Sequence, residues 1–294
     1  MKLVYFQDPK RNYGDDLNPW LWEQLLPGML DDDGSSLLIG MGTILEPWFC
    51  AGLDPAARKI VIGSGGGMEV PPICPDDSWE IFAVRGPLTA SYLGLDLSLA
   101  ATDPAMCLRD LWPRHEGERL RVGFMPHHSS LRHWDWAATC AEAGLDYIDP
   151  HGDPMSVTTQ INGLRLIVTE AMHGAIVADA LRVPWLPVQI NPLNYVGKWH
   201  DWGASVRMPI HFKPLPHLYD PLYGNTARNV LGGGLRHAAW QLRRRSGNRE
   251  RRRAVEMLRG YAEAYQPYLS DDRNLDRALD LFHAALIRFR TARG

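Results

Sequence analysis

The chain has 294 residues, 45% of them hydrophobic and 22% charged, with a formal net charge of −3. That balance is of a soluble globular protein with room for one or two cores, and no nucleic-acid partner is expected. No window approaches the roughly 18 apolar residues of a membrane span, and the apolar run after Met1 is too short for a signal peptide. Cys50, Cys74, Cys107 and Cys140 are far apart and form no CxxC pair, which argues against zinc and for a reducing cytoplasm.

In chain order, strand-like apolar runs alternate with helical patterns. "LVYF" opens the series. In "FQDPKRNYGDDLNPW", Asn18 and Pro19 read as a helix N-cap followed by proline at the first helical position. The loop before them holds Asn12, Asp15 and Asp16, as either a solvated Asx turn or a substrate loop. "SSLLIG" and "KIVIG" are the next strands. Beyond the second, Gly63, Gly65, Gly66 and Gly67 suit either a tight structural turn or a close approach to a ligand. Neither loop matches GxGxxG with an acidic residue about 20 positions later, which disfavours a dinucleotide site. "WEIFAVR" ends at Arg85, just before Gly86 and Pro87 open the helix "PLTASYLGL". A guanidinium there either grips a carboxylate or phosphate, or pairs with an internal Asp.

The polar stretch "RDLWPRHEGERLRVGF" near residue 115 reads as a linker to a second unit. In that unit "LRVGFM", "LRLIVT" and "VPWLPVQI" are strands, while "HWDWAATCAEAG" and "AMHGAIVADAL" are helices. Such alternation implies parallel sheets covered by helices on both faces, with ligands bound beyond the carboxyl ends of the strands. That rule picks out His127 and His128, then Glu170 and His173, then Lys198, His200 and Asp201. His173 falls in the first helical turn, as either a satisfied core histidine or an acid–base group. No HxxxH, HxH or carboxylate cluster is present, so no metal is expected. His127 and His128 are adjacent and should point apart if the strand continues through them.

After Asp201 the pattern turns to proline-rich loops and then helices. "NLDRALDLFHAALIRF" puts Leu275, Leu279, Phe282, Leu286 and Phe289 on one stripe. From Arg236 onward there are 14 arginines against 7 acidic residues, concentrated in "RHAAWQLRRRSGNRERRR". That segment includes Arg243, Arg244, Arg245, Arg251, Arg252 and Arg253. It reads either as a solvated helix face or as a surface for an anionic membrane leaflet.

Spread in order over residues 1–205, "NYGDDLN", "IGMGTIL", "VRGPLTASYLGL", "TDPAM" and "EAMHGAIVADALRVP" followed by "KWHDW" resemble the polysaccharide pyruvyl transferase family. The likeness is to the branch that ketalises bacterial exopolysaccharide repeat units. It implies an α/β fold of two Rossmann-like domains in a GT-B-like arrangement, residues 1–115 and 116–215, with a helical basic tail over 216–294. It also implies phosphoenolpyruvate as donor substrate, no cofactor, a lipid-linked oligosaccharide acceptor, and a cytoplasmic location at the inner face of the membrane. By motif, His173 takes the place of the histidine in the family's Arg-x-His-Gly signature, and Arg85 that of the arginine gripping the donor. The signature arginine is Ala171 here, and Lys198, with Arg182 behind it, is the expected substitute. The resemblance places His173 at the catalytic position, where the chemistry calls for an acid; Asp15 is the first candidate for the base, and His127 or His128 the second. Donor contacts are expected from Arg85, Lys198, Gly65 and Gly66, and acceptor contacts from Asn12, His127, His128 and Glu170. Two other functions compete. A nucleotide-sugar glycosyltransferase of GT-B type would use Glu170 on a nucleoside diphosphate. A non-catalytic carbohydrate-binding protein would use the 11 tryptophans.

Overall fold

Each of the seven apolar runs is a strand in the computed structural model, which describes residues 1–132, 134–191, 196–218, 249–263 and 266–293. β1 (Lys2–Val4), β2 (Ser36–Ile39), β3 (Arg58–Ile62) and β4 (Trp79–Ala83) form a parallel sheet in that order. The second sheet contains β5 (Arg121–Met125), β6 (Asp146–Tyr147), β7 (Leu164–Thr169), β8 (Trp185–Gln189) and β9 (Lys213–Pro214). They run parallel in the order β6-β5-β7-β8-β9. Most parallel crossovers lay a helix on the sheet, the exception being the helix-free loop over 63–78 between β3 and β4. The strands therefore read as unbroken apolar runs, such as the fully buried Ile60, Val61 and Ile62. The protein is thus α/β with two parallel sheets flanked by helices, consistent with Rossmann-like units.

α1 (Tyr13–Asp16), α2 (Asn18–Leu25), α3 (Pro47–Cys50), α4 (Pro87–Tyr92) and α5 (Leu108–Leu111) accompany the first sheet. Asn18 is not the N-cap expected from the sequence; α2 begins on it. Its buried side chain instead bonds the backbone of Asp15, both polar backbone atoms of Met41 and the indole of Trp22. This pins the start of α2 to the end of β2. α6 (Trp136–Ala143), α7 (Pro154–Asn162), α8 (Met172–Ala180) and α9 (Gly197–Ser205) accompany the second sheet. α7, absent from the sequence reading, starts on sound local chemistry. Asp153 accepts from Ser156 N–H and Pro154 occupies the first helical position.

The described parts of the C-terminal segment are mainly helical and pack on both units. Residues 249–263 are helical (α10) and bury Ala254, Val255 and Leu258 with Phe124 and Trp136 of the second unit. α11 (Asp272–Thr291) lies against β3 and β4 of the first sheet. Its predicted stripe of Leu275, Leu279, Phe282, Leu286 and Phe289 is buried, with Phe289 edge-on to Phe82 at 5.4 Å. Truncating Phe282 to Ala would cost about 3–5 kcal/mol, the usual penalty for an emptied aromatic core site. Of the six arginines singled out, Arg243, Arg244 and Arg245 lie outside the described residues. Arg251 pairs with Glu142 of α6 at 2.6 Å, while Arg252 and Arg253 are exposed. Among the described residues, no helix is long and apolar enough to cross a membrane.

The two units are stitched together around α1. Tyr13 N–H donates to the Pro150 carbonyl at 2.8 Å, and the Tyr13 hydroxyl meets Thr158 Oγ1 at 2.8 Å.

Candidate active site

Loops and helix starts beyond the strands of both sheets line one cleft of about 320 Å³. That volume suits a small ligand. Asn12, Asp15, Gly42 and Thr43 come from the first unit, and His127, His128, Ala171, His173 and Lys198 from the second. Five of the expected site residues, namely Asn12, Asp15, His127, His128 and Lys198, therefore share a wall with His173.

Asp15 is 8% exposed. Burial pushes its carboxyl up to about 6, although His173, the hydrogen bond from Asn12 and Lys198 all pull the other way. Asn12 is where the chain enters α1, and its amide donates to Asp15 Oδ2 at 2.7 Å. The preceding Arg11 takes a left-handed conformation, φ 70°. Such a conformation costs a branched-free side chain about 1 kcal/mol, and cost of this kind gathers at functional sites.

His173 is the second residue of α8, where free backbone N–H groups and the helix dipole favour an anion. Its imidazole lies flat on Gly14 of α1: a Cβ at Gly14 would fall 1.9 Å from Nδ1. Any side chain there would push the ring out of the cleft. Nε2 points at Asp103 Oδ2, 3.7 Å away, and both atoms are buried without a hydrogen-bond partner among the described residues. The other oxygen of Asp103 accepts from Ala105 N–H at 3.0 Å, which fixes the carboxylate. Catalytic contacts often stand a few tenths of an ångström long until substrate closes the site. With Nε2 turned to Asp103, Nδ1 is the nitrogen left to exchange a proton with a ligand. Asp103 lies in the quoted "TDPAM" but was given no role from sequence. The available signal was an Asp before a proline turn, and only the fold brings it to His173.

Lys198 opens α9 and reaches the cleft wall. Burial lowers its pKa and the nearby charge of Arg85 lowers it further, against the pull of Asp15, Glu170 and Glu69. His127 and His128 are both held toward the neutral form, first by burial and also by Lys198. Ser129 N–H donates to His127 Nδ1 at 3.3 Å, which leaves its proton on Nε2. The two rings do not point apart. The strand ends at Met125 and a 3₁₀ turn begins at His128, so they pack 4.3 Å centre to centre. Asp8 approaches His128 Nδ1 at 3.4 Å, a partner the sequence did not suggest.

Other expected site residues serve internal roles. Arg85 is fully buried and does not line the cleft. Its Nε donates to Asp201 of α9 at 3.0 Å, its Nη1 to Thr43 at 2.8 Å, and its Nη2 to the Gly66 carbonyl at 3.2 Å. Thus the internal-Asp alternative describes its contacts, and the guanidinium braces Thr43 in the cleft wall from behind. Gly65 is needed for this: a Cβ there would lie 2.1 Å from Arg85 Cζ. Gly66 N–H donates to Thr89 Oγ1 at 3.0 Å, so this loop is built around Arg85 and Thr89 rather than a ligand. Glu170 is 4% exposed. It accepts from His127 N–H, Ser130 Oγ, Ile190 N–H and Asn191 N–H, which ties together the carboxyl ends of β5, β7 and β8. Its carboxylate is therefore engaged inside the protein rather than presented to an acceptor or a nucleotide. Arg182 lies in a different cavity and bonds Ser270 and Asp272, so it does not replace the arginine missing at Ala171. Among the described residues, no group of three His, Cys, Asp or Glu side chains is placed to hold a metal ion.

No family model matches the chain, and no solved structure matches it. The chain is 41% identical over 219 residues to the succinoglycan biosynthesis protein ExoV of Rhizobium meliloti (strain 1021). The match spans 74% of this chain and 68% of that protein. Identity at that level over most of both chains is carried by a common fold and ancestry: the chain belongs to the family of the succinoglycan biosynthesis protein ExoV.

Proposed function

We propose that the chain moves the pyruvyl group of phosphoenolpyruvate onto a sugar of an exopolysaccharide repeat unit and closes it as a ketal, on two Rossmann-like units in a GT-B-like arrangement. The observation that carries this reading is the meeting of Asp15, His173 and Lys198 in one cleft, in a chain whose relative is named for succinoglycan biosynthesis. The reaction needs a proton for C3 of the enol, a base for the attacking hydroxyl, and a cation for the departing phosphate. His173 supplies the proton from Nδ1, oriented through Nε2 by Asp103. Positive charge then develops at C2, where a sugar hydroxyl attacks as Asp15 takes its proton. A carboxyl pushed up to about 6 is well matched to that task near neutral pH. The C2–phosphate bond breaks against Lys198, the departing phosphate takes up the proton held by Asp15, and a second hydroxyl attacks C2 to close the ring as its proton returns to His173. Phosphoenolpyruvate and a diol thereby give a methyl-bearing ketal and inorganic phosphate, with no change of oxidation state. Asn12 orients Asp15, while neutral His127 and His128 offer hydrogen bonds to the acceptor. Arg85 acts from behind the wall by holding Thr43 and adding positive potential.

The acceptor in this reading is lipid-linked and presented at the inner face of the cytoplasmic membrane. The basic segment from Arg236 to Arg253 gives the chain a reason to rest there, since each lysine or arginine near an anionic leaflet contributes about 1 kcal/mol before screening.

The discriminating experiment is thermal unfolding with phosphoenolpyruvate and, separately, with UDP-sugars. Phosphoenolpyruvate should raise the unfolding temperature and UDP-sugars should not. Stabilisation by a UDP-sugar alone would overturn this reading in favour of glycosyl transfer.

A further inference from the structure

Among the described residues, Trp48 is the one tryptophan, tyrosine or phenylalanine that is exposed, at 58%. A large apolar ring left in water asks for a partner, the more so when it stands at the mouth of a cleft. The ring is not loosely held. α3 starts on Pro47, and the preceding Glu46 is buried with its carboxylate accepting from Gly67 N–H. Phe6 meets the indole at 5.5 Å and 86°, and Phe49 meets it at 5.7 Å and 78°. Edge-to-face neighbours of this kind fix the plane of a ring while leaving much of it open.

The cleft offers two chemistries. Phe6 and Trp48 form an aromatic pair in its lining beside Ile44, while Asp15, His127 and His128 supply polar groups and Met125 and Met172 further apolar ones. A pyranose ring carries both as well: one face of C–H groups and a rim of hydroxyls. Phosphoenolpyruvate does not, since its charges call for Lys198 and the start of α8 rather than an indole. We propose that Trp48, backed by Phe6, is the stacking platform for the acceptor sugar. The C–H face of the sugar lies on the indole, which turns its hydroxyl rim toward Asp15 and the two histidines. The platform would then select which pair of hydroxyls reaches the donor. The proposal rests on the reading above for the identity of the reaction, but sugar binding is measurable without the donor.

The probe is a succinoglycan oligosaccharide fragment treated with mild acid to remove any ketal, titrated calorimetrically into wild type, Trp48→Ala and Trp48→Phe. Trp48→Ala should bind it roughly tenfold more weakly, the scale of one partly buried aromatic contact, and Trp48→Phe should retain most of the affinity. Phosphoenolpyruvate should bind all three alike, which also certifies the fold. Unchanged oligosaccharide affinity in Trp48→Ala, parallel loss of both ligands, or no binding by wild type would each overturn the platform. If wild type binds the fragment through Trp48 but releases no phosphate from phosphoenolpyruvate, the platform stands and the pyruvyl-transfer reading falls.

Discussion

Asp15 is kept in a place that suits chemistry better than stability, and Asp15→Asn exposes the difference. Burial raises its carboxyl from 3.8 to about 6. Over that interval the folded protein keeps a proton that the unfolded chain has already released. Stability from this group is therefore greatest below about pH 4 and is lost as pH rises to about 6. At 1.36 kcal/mol per pH unit, the folded state above pH 6 carries a cost of about 3 kcal/mol. Asparagine cannot ionise, and its amide oxygen can still accept from Asn12. Urea unfolding followed by circular dichroism, run from pH 4 to pH 7.5, should show Asp15→Asn gaining on wild type by up to about 3 kcal/mol across that range. The same variant should turn over about 10²–10⁴-fold more slowly, the usual worth of a positioned acid or base. A stability difference that does not change with pH, or a variant less stable than wild type at pH 7.5, would refute the assignment of Asp15 as a desolvated carboxyl.

Lys198→Ala should weaken phosphoenolpyruvate binding by about 1.5–3 kcal/mol, as for a charge-assisted contact, while Arg182→Ala leaves it unchanged; a calorimetric titration separates them. Arg85→Met alone should destabilise the protein by about 3–5 kcal/mol because it strands Asp201, and Arg85→Met combined with Asp201→Leu should recover much of the loss; denaturant midpoints read this, and additive losses would argue against a coupled pair. The full chain should co-sediment with vesicles rich in anionic lipid at low salt and release as salt rises; equal recovery on neutral vesicles would leave the arginines as a solvated face.

Strands and junctions were legible because a parallel sheet covered on both faces leaves a plain trace, an apolar run followed by glycine, proline or an N-cap. β6 and β9 escaped because two-residue strands carry no period, and α7 because its burial is shared among Val157, Thr158 and Ile161 without a marked apolar stripe. The same limits apply to the site. His173, Asp15 and Lys198 were accessible as polar groups beyond strand ends. Their partners were not, since Asp103 and Asp8 come to the histidines from the other unit. Arg85 was ambiguous for the same reason: its contact with Asp201 spans 116 positions of sequence, and nothing local distinguishes an internal counter-ion from a ligand. The arginine stretch has two readings in sequence because composition does not tell a paired arginine, such as Arg251 beside Glu142 on a neighbouring helix, from one left to meet an anionic surface.

The most direct test of the account is phosphate release from phosphoenolpyruvate, measured with and without a lipid-linked oligosaccharide acceptor and paired with proton NMR of the sugar product. Wild type should release phosphate only with acceptor present and yield a new ketal methyl signal, and His173→Ala should lower the rate by about 10²–10⁴-fold with its fold intact. Phosphate release that needs no sugar, a product without the methyl signal, or a His173→Ala variant of near-normal rate would contradict the account.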